Sequence, residues 1–123
     1  MKLTFEALEK ANQERVSLFR NAAGQSAGVD HLNEWSVAEW SNAFAGECGE
    51  ACNIAKKLRR GDFGAPGSVE YSQAAALFVT ELADAVIYAD LAAQRVGLSL
   101  GEFVRMKFNL VSERHADTAS IVI

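Results

Sequence analysis

From Val69 to Arg95, "VEYSQAAALFVTELADAVIYADLAAQR" runs without a glycine or a proline, and the only proline of the 123-residue chain, Pro66, stands just before it. Alanine is the strongest helix former, whereas an architecture of short strands needs turn residues every few positions. The expectation is an all-α fold. Half of the residues are hydrophobic and 23% are charged, enough for a packed core and far from the composition of a disordered segment. At this length the chain fits one domain, residues 1–123.

Four antiparallel helices are predicted, in a four-helix-bundle type of arrangement. The first starts at Thr4, an N-cap residue, and runs to about Arg20, with Phe5, Leu8, Val16 and Phe19 as an imperfect apolar stripe. "NAAGQSAGVDHLNEW" then breaks the periodicity and reads as a long loop, about 21–35. Ser36 and Glu39 open the second helix as a capping box. It ends near Arg60, where Lys56, Lys57, Arg59 and Arg60 complement the helix dipole before the Gly61–Gly67 turn. The third helix covers about Val69 to Arg95 and stops at Gly97. The fourth begins with Ser99 and Glu102 as a second capping box and reaches about Arg114, leaving an unpatterned tail at about 115–123.

Within the second helix, "AFAGECGEACNIAKKL" places Glu47 and Glu50 in a run that otherwise reads as core. At 100° per residue, Trp40, Ala43, Phe44, Ala51, Ile54 and Leu58 fall within about 60° of Glu47, and so does Glu50. On the third helix Glu81 sits likewise among Ala74, Leu77, Phe78, Ala85 and Tyr88, with Asp84 about 60° away. With a rise of ~1.5 Å per residue, Glu50 and Glu81 both stand roughly 15–18 Å from the connecting turn, and Glu47 and Asp84 one turn further. A Glu-x-x-Glu pair on a helix is ordinarily a solvated face. Four inward carboxylates with no lysine or arginine in either segment instead repel one another at a cost of several kcal/mol each, unless cations neutralise them. Oxygen ligands without histidine or thiolate suit a hard ion, Mg²⁺ or Mn²⁺. Cys48 lies on the flank of the acidic stripe and Cys52 further round, both as small thiols and not as ligands, and His31 and His115 read as packing or surface residues.

"GECGE", then "ELAD", then "KFNLVSER" resembles the MazG-like family of all-α nucleoside triphosphate pyrophosphohydrolases, over roughly Trp35 to Arg114. Gly46 stands where that family often carries a further glutamate. The resemblance implies Mg²⁺ held by Glu47, Glu50, Glu81 and Asp84, and cleavage of a (d)NTP to the monophosphate and pyrophosphate. It also implies nucleotide contacts from Lys107, Asn109 and Arg114, and a homodimer or homotetramer. Glu50, and equally Glu47, is the candidate base for the attacking water. Lys57 and Arg60 are secondary phosphate candidates, although complementing the helix dipole accounts for them as well. Trp35 is the candidate for stacking on the base, while Trp40 reads as core.

The net charge of −4 argues against a broad nucleic-acid surface. No stretch reaches the ~18 apolar residues of a membrane span, and Met1 to Arg20 lacks the apolar centre of a signal peptide, so a cytoplasmic protein is expected. Two other readings compete with the hydrolase: a noncatalytic module that binds metal and nucleotide, and a structural helix bundle.

Overall fold

The computed structural model describes residues 2–19 and 31–123, which form five α-helices and no strand. α1 spans Phe5–Val16, α2 His31–Glu34, α3 Val37–Arg60, α4 Val69–Arg95 and α5 Leu100–Glu113. The chain is all-α, with one short helix more than the sequence predicts. Local chemistry sets most of the boundaries. Thr4 Oγ1 accepts the Ala7 N–H at 3.1 Å. At the start of α3, Ser36 Oγ accepts the Glu39 N–H at 3.2 Å while Glu39 Oε2 accepts the Ser36 N–H at 2.6 Å, the predicted capping box. Gly61, at φ 84°, takes the left-handed conformation that ends α3.

Two boundaries and one cap differ from expectation. α1 ends at Val16 instead of Arg20, and Ser17 Oγ donates to the Glu14 carbonyl at 3.1 Å, the local hydrogen bond by which serine competes with helix continuation. Part of the expected loop, His31–Glu34, is helical, and the rest of that segment lies outside the described residues. The second capping box does not form. Ser99 Oγ donates instead to Glu9 Oε2 at 2.9 Å, so a contact with α1 takes the hydroxyl that would have capped α5.

α3 and α4 are joined by residues 61–68 and fold back on one another as an antiparallel pair: Trp40 lies 6.2 Å from Tyr88 between ring centroids, and Glu47 and Glu50 meet Glu81 nearer the turn. The core lies at the open end of this hairpin, under α1 and α2. Val16, Trp40 and Leu91 are 3%, 1% and 2% exposed, with Leu32, Trp35, Ile87, Tyr88 and Ala92 packed around them. Phe5 and Phe19, placed on the core stripe by the sequence, are exposed. Beside this core a polar network ties α1 to α4: Asn12 Nδ2 donates to Asp90 Oδ2 at 2.8 Å, and Gln94 Nε2 donates to the same oxygen at 2.7 Å and to the Glu9 carbonyl at 3.1 Å.

α5 packs on α1 and α4 but not on α3. Where it meets α1, a Cβ on Gly101 would stand 2.5 Å from Phe5 Cβ, so only glycine allows this approach. The tail, unpatterned in sequence, folds back along α5. Thr118 Oγ1 donates to the Ser112 carbonyl at 2.9 Å, and Asn109 exchanges two hydrogen bonds with Ile123, at 3.2 and 3.0 Å. No helix among the described residues is long and apolar enough to cross a membrane.

Candidate metal centre

The helical hairpin brings three of the four predicted acids together. One carboxylate oxygen from each of Glu47, Glu50 and Glu81 lies within 4.8 Å of the others, two from α3 and one from α4. Glu47 and Glu81 are half-buried and Glu50 is exposed. Glu81's carboxyl is held above its ordinary value of 4.5, first by desolvation and then by the charges and side-chain hydrogen bonds of Glu50 and Glu47. Desolvation and like charge both favour the protonated form, so the group that would be costliest to ionise lies between two other acids.

Asp84, predicted as the fourth member, is half-buried one turn further along α4 and stands outside the trio. Residue counts from the turn set Glu81 opposite Glu50 and Asp84 opposite Glu47, whereas in the structure Glu47 and Glu50 both reach Glu81 and Asp84 is left out of the cluster.

The predicted substrate contacts are scattered. Lys107 and Arg114 are exposed on and just after α5, and Asn109 holds the chain end through Ile123. Among the described residues, no ion pair or hydrogen bond joins these three to the acids. Arg60 pairs with Asp62 beside it on the connection, which holds Asp62 below its ordinary value, first through the hydrogen bond from Arg60. Lys57 is half-buried near the end of α3, where its charge adds a small part to the same shift.

Trp35 is half-buried. Its ring centroid is 4.6 Å from that of Trp40, His31 packs edge-on against both, and Arg95 Nε donates to its carbonyl at 2.7 Å. The remaining side of Trp35 borders a shallow groove with Ala38, Glu39, Asn42 and Ala43. Trp40, with Nε1 donating to the Leu32 carbonyl at 2.9 Å, is the core residue that its position predicts.

Sequence reasoning missed the buried polar set. Asp90 is 1% and Asn12 2% exposed, and Asp90 Oδ1 and Gln94 Oε1 make no hydrogen bond with the described residues. Asn12 carried a signal, since it falls between Leu8 and Val16 at steps of four on the stripe assigned to the core. Searches against protein-family models, curated proteins and solved structures match nothing to this chain.

Proposed function

We propose that the protein is a Mg²⁺-dependent nucleotide pyrophosphohydrolase that cleaves a (d)NTP between the α and β phosphates. The observation that carries this reading is the convergence of Glu47, Glu50 and Glu81 from two helices with no cation paired to any of them among the described residues. The trio offers oxygen donors alone, the set a hard ion prefers over a softer one. A Mg²⁺ or Mn²⁺ ion held by these acids, with Asp84 a turn away, would neutralise triphosphate charge and lower the pKa of a bound water.

The protein's own groups divide the remaining work. In this reading Glu50, the exposed member of the trio, takes a proton from the attacking water, and the half-buried Glu47 is the weaker candidate. Lys107 and Arg114 supply positive charge for the phosphates, with Asn109 beside them; Lys57 and Arg60 stand closer to the connecting turn. Because α5 does not touch α3 within one chain, this reading includes a homo-oligomer, dimer or tetramer, whose protomers complete one another's sites. That same separation favours one other reading, a metal-binding and nucleotide-binding module without turnover.

Thermal melts over a range of Mg²⁺ concentration test the metal reading. The wild type should gain stability as the concentration rises, by the mass action of an ion that binds only the folded state. Glu81→Gln should gain much less. A wild-type melting temperature indifferent to Mg²⁺ and Mn²⁺ would contradict the metal reading.

A further inference from the structure

Residues 114–123 leave the end of α5 and run back along it, held at two places. Near the bend, Thr118 Oγ1 donates to the Ser112 carbonyl at 2.9 Å, and the Thr118 carbonyl accepts the Ile121 N–H at 2.8 Å. Further back along α5, Asn109 Nδ2 donates to the Ile123 carbonyl at 3.2 Å and Asn109 Oδ1 accepts the Ile123 N–H at 3.0 Å. An amide that gives one hydrogen bond and takes another side by side is using the fork with which asparagine reads a base edge. Here backbone fills that fork.

Little else holds the segment. Ile121, Val122 and Ile123 are 53%, 58% and 62% exposed, so lifting them uncovers little further apolar surface. Each hydrogen bond to Asn109 favours the closed arrangement by a factor of roughly 2–10, and the two together by roughly 5–100. The place it closes over is shared with charge. Lys107 borders the grooves on both sides of it: one with Met106, Asn109 and Leu110, the other with Val111, His115 and Ile121.

We infer that residues 119–123 are a releasable strap on α5, closed in this structure, that withholds Asn109 from a nucleotide until it lifts. The inference rests on the reading of Asn109 as a substrate contact. Ile123 and the substrate then compete for one amide. The apparent affinity for nucleotide is lowered in proportion to the fraction of molecules whose strap is open, so loosening the strap tightens binding. Once nucleotide is bound the strap is already open, so KM falls in a loosened variant and kcat does not change.

The test variant is Ile123→Pro, which removes the N–H that Asn109 Oδ1 accepts. It alters a residue that is mostly exposed, so circular dichroism should match the wild type. Titration with the α,β-imido analogues of the dNTPs and NTPs, which resist cleavage at that bond, should give a dissociation constant about 2–10-fold below the wild type's. Turnover of the parent triphosphate should show the same fall in KM at unchanged kcat. In an Asn109→Ala background, Ile123→Pro should change nothing, because the strap has already lost its hold. Amide exchange followed by NMR needs no turnover: in the free protein the Ile123 N–H should exchange several-fold more slowly than in an unstructured chain, and should lose that protection when an analogue binds. Three results would each overturn the strap and leave the hydrolase reading standing: an Ile123→Pro variant that binds no more tightly than the wild type, an effect that persists in Asn109→Ala, or an Ile123 N–H equally protected with and without nucleotide. No binding of any analogue by wild type and variant alike would overturn the hydrolase reading, and the strap with it.

Discussion

At the scale of single residues, Glu81 has an electrostatic cost that the metal-free protein bears and an ion would relieve. Its folded pKa is raised, so the folded state holds this proton more tightly than the unfolded chain does. The contribution to stability is therefore fully present below the ordinary carboxylate range and is lost as pH rises through Glu81's folded titration. Without Mg²⁺, Glu81→Gln should melt above the wild type at about pH 7 and lose that advantage toward about pH 4, where the glutamate is itself protonated. A difference that grows on acidification would contradict the assignment. Asp90 is buried and accepts hydrogen bonds from two amides. Removing it in Asp90→Ala strips buried donors on Asn12 and Gln94 and should cost about 1–3 kcal/mol in chemical denaturation. Asp90→Asn, which retains an accepting oxygen, should cost less. The acids of the trio were legible because a helical wheel and a height argument need only one helix at a time. Asp90's partners were not, since Asn12 lies 78 residues away and the pairing exists only once α1 docks.

At the scale of the helices, two glycines of similar local sequence carry opposite predictions. A Cβ at Gly46 meets nothing within 4 Å, so Gly46→Ala should stabilise α3 by roughly 0.5–1 kcal/mol through helix propensity alone. At Gly101 the added carbon collides with Phe5 Cβ, and Gly101→Ala should destabilise by about 1–3 kcal/mol as α1 is pushed off α5. Equilibrium unfolding in urea measures both; equal effects at the two sites would refute the close approach of α1. The predicted extents of α3 and α4 agree with the structure because caps, the glycine stop and an unbroken run lie next to one another in the chain. Ser99 resisted the same rule because its hydroxyl is claimed by Glu9, a residue on another helix. Asp84 missed the trio because residue counts from the turn fix neither the register of two packed helices nor the direction in which each carboxylate points.

Across the whole molecule, a small core sits at one end of a long hairpin while the acids occupy its middle and much apolar surface faces outward. The hairpin holds the trio on two packed helices without enclosing it, Glu50 being exposed. The reading of that arrangement as a pyrophosphohydrolase predicts the bond that breaks. Incubation of the purified protein with Mg²⁺ and a panel of dNTPs, NTPs and modified triphosphates, followed by chromatographic identification of products, tests it most directly. The account predicts nucleoside monophosphate and pyrophosphate in equal amounts from at least one member, with turnover lost in Glu50→Gln and Glu81→Gln while their helical content is kept. Release of orthophosphate with a nucleoside diphosphate, or no turnover of any triphosphate, would contradict it.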